Sequence, residues 1–338
     1  MNCLRMLLYK DLLSYAKSIN IDICGVSSTN VDHTPYYERL NTKAVHDHLY
    51  HNHHLDLSDD LGFSSLVVNA QTIISIGLNY NHDFIKSNNI NDGHYSKISH
   101  GLDYHQLMNE KLNLIISFLL SNDQQAKFYS CCDTGVLDDR YCAYLCGNGF
   151  YGRNSMLINE TYGSMVIYGT IITDLKISDY PHDISTTSCL NCHRCELRCP
   201  THSLKDYQLN YHTCLSYLSQ SKQMIASAYL SDCFYGCDLC NDVCPYNKMM
   251  NNNANLIDQG YYDLYEFIML NKKDYLQYFG NKSMSWLNYH LLKKNAILLY
   301  VKQKKLSNDE IKLLKNEVLT KFNSPLLIKT FKFLLKEE

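Results

Sequence analysis

Apolar positions recur along the chain with two different periods, and the switches between them outline its organisation. MNCLRMLLYKDLLSYAKSIN, residues 1–20, places its apolar residues on one helical face, and IDICGVSS, 21–28, follows as a short strand. TIISIGLNY, 72–80, is rich in β-branched residues and predicts a buried strand. DYHQLMNEKLNLIISFLLS, 103–121, returns to helical spacing. KFYSCCDTG, 127–135, reads as strand then turn, RYCAYLCGNGF, 140–150, as a helix ending at Gly147, and MVIYGTIITDL, 165–175, as another strand. This alternation predicts an α/β layer. Residues 30–65 are rich in His, Asp and Asn, lack a period and predict irregular structure. From about 256 the pattern turns helical, most clearly in WLNYHLLKKNAILLYVKQKK and NDEIKLLKNEVLTKF. The expected division is an α/β domain over 1–180, a compact cysteine-bearing module over 181–255 and a helical region over 256–338, α+β overall. No repeat of fixed length is present.

Composition narrows the setting. The chain has 338 residues, 46% hydrophobic and 19% charged, which is globular. A net charge of -3 excludes a chain-wide basic field for nucleic acid, though not a local patch. No run of apolar residues is long enough to span a membrane. The first helix is interrupted by Lys10 and Asp11 and lacks a small-residue cleavage site, unlike a signal peptide. A cytoplasmic, reducing setting is expected, and there 15 cysteines point to metal rather than disulfides.

The cysteines carry the sharpest chemistry. CLNCHRCELRCP supplies Cys189, Cys192, Cys195 and Cys199 at C-x2-C-x2-C-x3-C, with Pro200 behind. CDLCNDVCP supplies Cys237, Cys240 and Cys244, with Pro245 behind. In two-cluster modules three cysteines of a run hold one [4Fe–4S] cube and the last crosses to the other. That assigns Cys189, Cys192, Cys195 and Cys244 to one cube, and Cys199, Cys237 and Cys240 to a second. The eighth thiolate is Cys214 or Cys233, and local spacing leaves that choice open. Zinc is disfavoured, because a doubled C-x3-C-P closure is hard to build from tetrahedral zinc knuckles.

Clusters carry electrons but rarely choose a substrate, so the α/β domain should hold the reaction. Asp133, at a strand end before Thr134 and Gly135, is a candidate proton donor, although pattern alone favours a helix cap there. GNGFYG, 147–152, reads as a turn before it reads as a phosphate loop. Cys131, Cys132, Cys142 and Cys146 read as buried small hydrophobes, and Trp286 as a packing residue. His46, His48, His51, His53 and His54 read as a solvated loop, and the lysines of 293–332 as a solvated helix face.

In order, DTG, GNGFYGRNSMLI, GSMVIYGTIITDL, TCLSYL and YGCDLCNDVCPYN resemble the motifs of the epoxyqueuosine reductase family over roughly residues 70–300. DYH, 103–105, and KKNAI, 293–297, also fit. The resemblance implies a cobalamin beside two [4Fe–4S] clusters, and reduction of epoxyqueuosine to queuosine at the wobble position of tRNA. It implies Cys214 as the eighth ligand, Asp133 as proton donor, and Asp133, Arg153, Asn154, Ser155, Leu157, Tyr168 and Ser216 as cofactor contacts. Val136 stands where the family has Pro, and Arg153 where it has Lys. The expected partners are tRNA carrying epoxyqueuosine and a low-potential electron donor, acting on a monomer with no membrane. A ferredoxin-like carrier serving another enzyme and a reductive dehalogenase-type reductase of small molecules are the competing classes.

Overall fold

The computed structural model describes residues 7–33, 62–82, 87–181, 187–189, 191–247 and 260–337. The first stretch runs through Leu7–Leu8 (β1), Tyr9–Ser18 (α1) and Ile23–Ser28 (β2). Thr72–Asn79 (β3), Asp92–Tyr95 (β4), Tyr104–Asn122 (α2) and Phe128–Cys131 (β5) come next. Asp139–Leu145 (α3), Phe150–Tyr151 (β6), Leu157–Ile158 (β7), Val166–Thr173 (β8) and Ile177–Ser178 (β9) complete this part.

The four-stranded sheet, ordered β2-β3-β8-β5, is antiparallel at every pairing. Mixed α/β layering is present as expected, but without the parallel strands that alternation ordinarily brings. The reason lies in the connections, which reverse the chain between neighbouring strands instead of crossing back over one face. Central strand β3 is buried on both faces through TIISIG, which is why its sequence carries no apolar/polar alternation. Helices α1 and α2 cover one face, burying Leu12, Ala16, Met108, Leu112, Ile115 and Leu119 against Ile74, Ile76 and Ile171. Such side chains contribute about 1.5–3 kcal/mol each when fully buried. Gly169 lets α2 lie close, since a Cβ there would stand 2.7 Å from the Met108 sulfur. Helix α3 covers the other face with Tyr141, Cys142, Leu145 and Cys146.

The cysteine-bearing stretch contains Arg194–Arg198 (α4), Leu204–Lys205 (β10), Gln208–Leu209 (β11), Leu215–Ser219 (α5), Cys233–Tyr235 (β12) and Leu239–Asp242 (α6). Tyr261–Asp263 (β13), Leu264–Met269 (α7), Lys272–Phe279 (α8), Tyr289–Lys304 (α9), Asn308–Lys321 (α10) and Pro325–Leu335 (α11) follow. A second sheet, ordered β12-β4-β13, takes one strand from each of the three expected regions. β4 pairs parallel with β12 and antiparallel with β13, so the regions are laced together by backbone hydrogen bonds.

Helix α9 is the hub of the C-terminal core. Asn288 caps it, and Ser307 with Glu310 forms a capping box on α10. Lys293 and Lys294 of α9 are 1% and 0% exposed, so the solvated face expected for them is overturned. Burial is tolerable because carbonyls replace water. The Lys293 ammonium donates to Phe267, Ile268 and Leu270, and that of Lys294 to Ser221 and Gln223, both at 2.7 Å. Asn295 donates to the carbonyls of Ser219 at 2.7 Å and Phe234 at 2.8 Å. This triplet therefore ties down the chain just after Cys214 and just before Cys237.

Candidate active site and thiol clusters

Strand β5 ends in buried Cys131, and Asp133 sits two residues on at φ +59, in the left-handed region. A carboxylate side chain tolerates that region better than most because it can bond locally. The turn is held from beneath by Asp139. That buried carboxylate accepts the Asp133 backbone N–H at 2.7 Å and the Thr170 hydroxyl, with the Cys131 thiol at 3.6 Å. Burial pushes the Asp139 carboxyl up to about 7, while hydrogen bonds from Thr170 and the Asp133 backbone hold it down. The helix-cap expectation for Asp133 is overturned: α3 is capped by Asp138, which accepts the N–H groups of Arg140 and Tyr141.

The Asp133 side chain is 61% exposed and faces the start of α2. The Tyr104 hydroxyl donates to Asp133 Oδ2 at 2.7 Å. His105 Nε2 lies 3.5 Å from the same oxygen, and His105 Nδ1 lies 2.7 Å from Asp103 Oδ1. Asp103 also caps α2 by accepting the His105 backbone N–H, so one carboxylate starts the helix and aims the imidazole. His105 holds the Asp133 carboxyl below the usual carboxylate range, against burial, with Tyr104 helping. His105 is in turn raised above its ordinary value, first by Asp133, then by Asp103, with burial opposing. The pair therefore favours the proton on His105 and the ionised form of Asp133.

Tyr235 of β12 belongs to the same neighbourhood. Burial raises its phenol, hydrogen bonds with Trp286 and Ser99 lower it, and the charges of Asp133 and Asp103 raise it again. Trp286 is 67% exposed, which overturns its expected packing role; it lies at the surface with its indole N–H bonded to Tyr235.

The cysteines converge in two groups. Cys189, Cys192, Cys195 and Cys244 line one small cavity together with Arg153, Asn154, Arg194 and Tyr246. Cys199, Cys214 and Cys237 lie within electrostatic reach of one another, and Cys240 of Cys237 and Cys214. Cys233 faces a different hollow, beside His94, Asp232, Asp238 and Asp242. Donors aim at the sulfurs: the Arg153 backbone N–H at Cys189 and the Ser203 N–H at Cys199, both at 3.3 Å. Burial raises most of these thiols, Cys195 to about 11 and Cys237 to about 12. At Cys199 burial also opposes the thiolate, but hydrogen bonds from Thr201 and Ser203 outweigh it and bring the thiol below its ordinary value. Four soft donors around one cavity fit an iron–sulfur cube, and loading must release the thiol protons.

Apart from Asp133, the expected cofactor contacts fall on the β6–β7 hairpin, β8 and α5. Arg153, Asn154, Ser155 and Leu157 lie along the hairpin formed by antiparallel β6 and β7, so the glycine-rich 147–152 stretch leads into a hairpin rather than a phosphate loop. The Arg153 guanidinium contacts Glu196 at 3.2 Å and Asp206 at 3.3 Å and lies over the Tyr207 ring. Asn154 donates to Asn241, and Leu157 packs with Tyr168. The Tyr168 hydroxyl is buried and has no partner among the described residues. Ser216 lies on α5, two residues after Cys214, and its carbonyl accepts from Ser219 and Gln220. Cys131, Cys132, Cys142 and Cys146 are buried, as expected of small apolar side chains. His46, His48, His51, His53 and His54 lie outside the described residues. Sequence reasoning missed His105, Tyr104, Asp139 and Tyr235; the available signal was the DYH stretch opening a helix, which spacing alone does not connect to Asp133.

Residues 61–134 match the family described as Epoxyqueuosine reductase QueG, DUF1730, and residues 188–247 match the 4Fe-4S double cluster binding domain. The epoxyqueuosine reductase of Lactococcus garvieae is 32% identical over 257 residues, covering 72% of each chain. The fold is similar to an epoxyqueuosine reductase solved with an epoxyqueuosine-modified tRNA-Tyr stem loop, at TM-score 0.84 and 27% identity, covering 97% of this chain and 89% of that one. It is equally similar, at TM-score 0.84 and 27% identity over 95% of this chain and 88% of that one, to the Bacillus subtilis enzyme solved with an aspartate catalytic loop swung out of the active site.

Proposed function

The chain belongs to the epoxyqueuosine reductase family, and from that premise we propose that it reduces epoxyqueuosine in tRNA to queuosine, with Asp133, Tyr104 and His105 managing the protons. The observation that carries this reading is the joining of two crossed thiol groups to an exposed carboxylate–imidazole pair in one fold.

Cys189, Cys192, Cys195 and Cys244 would hold one [4Fe–4S] cluster, and Cys199, Cys214, Cys237 and Cys240 the other. Cys214 is preferred over Cys233 because it lies beside Cys199 and Cys237. A cobalamin would be held by the β6–β7 hairpin through Arg153, Asn154, Ser155 and Leu157, with Tyr168, Ser216 and Asp133. The orphaned Tyr168 hydroxyl supports a polar ligand edge in that neighbourhood. When bound, these groups supply two electrons, one at a time.

The protein's own share of the reaction is proton delivery. Opening an epoxide to an alkene takes two electrons and two protons and releases the oxygen as water. Asp133, exposed at the turn, is placed to meet the oxygen, and His105 behind it carries the proton that Asp133 alone would not hold. Tyr104 fixes the carboxylate oxygen that faces the ring. Asp103 holds the imidazole so that Nε2, not Nδ1, turns to Asp133. No described helix is long and apolar enough to cross a membrane, and we take the enzyme to be a cytoplasmic monomer served by a separate electron donor.

The test is anaerobic purification, reconstitution with iron, sulfide and cobalamin, and assay of conversion of epoxyqueuosine-containing tRNA. Conversion by the wild type and its loss in Asp133→Asn at unchanged iron content support the reading. Full conversion by Asp133→Asn removes Asp133 from the mechanism, and bound zinc in place of iron removes the reading itself.

A further inference from the structure

We infer that the outer face of α4 is the docking surface for a small acidic one-electron carrier protein, centred on Leu197. The inference rests on the iron–sulfur reading above. Leu197 is 82% exposed, the largest exposure among the large apolar side chains that lie at the surface of the described residues. It sits on a five-residue helix that carries Cys195 at its second position and is followed at once by Cys199. Those two thiols belong to different groups, so a protein seated on α4 contacts an element that reaches both.

The charge around Leu197 is mainly positive. Arg194 and Arg198 flank it on the same helix, and Lys205 lies on the neighbouring β10; all three are exposed. The acids of the neighbourhood are already paired, Glu196 largely buried and Asp206 at the surface. Glu196 and Asp206 contact Arg153, and Glu196 also meets His193 at 2.6 Å. The surface left over is cationic in a chain whose net charge is -3. An apolar centre with a cationic rim is the complement of an acidic protein with an exposed redox group. Opposite charge would steer the encounter, and Leu197 would exclude water at its centre. tRNA is also anionic, but an apolar side chain at the centre of the patch offers nothing to a phosphate backbone, so a protein partner is favoured.

The test compares the reconstituted wild type with Arg198→Glu/Lys205→Glu and Leu197→Asp. Cluster bleaching is followed by stopped flow with reduced flavodoxin as the acidic donor and, separately, with dithionite. Binding of oxidised flavodoxin is measured by calorimetry, and binding of an anticodon stem loop by fluorescence anisotropy. At low salt the charge-reversal variant is expected to be reduced at least tenfold more slowly by flavodoxin and to bind it correspondingly more weakly. Wild-type reduction by flavodoxin should slow as salt rises. Dithionite rates and stem-loop binding should stay unchanged. Equal flavodoxin rates in wild type and variants overturn the proposal, as does loss of stem-loop affinity in place of flavodoxin affinity, which would make the patch a tRNA contact. Failure of dithionite to bleach the wild type would instead overturn the iron–sulfur reading beneath it.

Discussion

Asp133 shows how little of a residue's role is written in its neighbours along the chain. Its own stretch favours a cap, yet Asp138 takes that role and frees Asp133 to face Tyr104 and His105 from another element. Asp133→Asn is expected to lower turnover by about 10²–10⁴-fold, the usual worth of a positioned acid–base group, with iron content unchanged. The pH dependence follows from the imidazole. His105 is raised above its ordinary value by Asp133, so it keeps its proton to higher pH than an unpaired imidazole and loses it as pH climbs past that raised value. Turnover is expected to fall on the alkaline side, and His105→Gln should lower the rate and flatten that limb in a pH–rate profile. At the thiols, Cys214→Ser should reduce bound iron, measured against protein in anaerobic preparations, whereas Cys233→Ser should leave it unchanged. The reverse result would move the eighth ligand to Cys233, which spacing by itself allowed.

At the scale of elements, α9 makes its contribution through buried cations rather than through a solvated face. Lys293 is pushed down to about 7 by burial and then by the charge of Lys321. Its folded value is therefore below the unfolded one of roughly 10.4. Between those values the unfolded chain binds more protons than the folded one, so this residue makes stability rise with pH from about 7 towards 10. Lys293→Met should make that slope shallower in denaturant titrations. It should also cost about 1–3 kcal/mol at neutral pH by leaving the α7 carbonyls without a donor. Helices α2 and α10 were legible because each buries a periodic stripe, and β3, β8 and α9 because each carries apolar residues along many positions of a long buried element. Strands β4, β12 and β13 were not, since three or four residues of mixed polarity carry no period.

At the scale of the whole molecule, the thiol groups are crossed and the second sheet draws strands from three parts of the chain, so metal loading and folding should be coupled. Removing iron with a chelator under anaerobic conditions is expected to lower the thermal midpoint and to open residues 188–247 to proteolysis before the β2-β3-β8-β5 sheet. Simultaneous loss of both regions would mean that the cysteine stretch is held by its sheet contacts alone. The sequence by itself determined the metal chemistry, because thiolate spacing is a local property and two C-x3-C-P closures admit few uses. It also determined the layered α/β character, because apolar period is local too. Only the tertiary structure decided the antiparallel order of the main sheet, the burial of Lys293 and Lys294, the exposure of Trp286 and the partners of Asp133. Each of those depends on residues far apart in the chain meeting across a core, and no window of neighbouring residues holds that information.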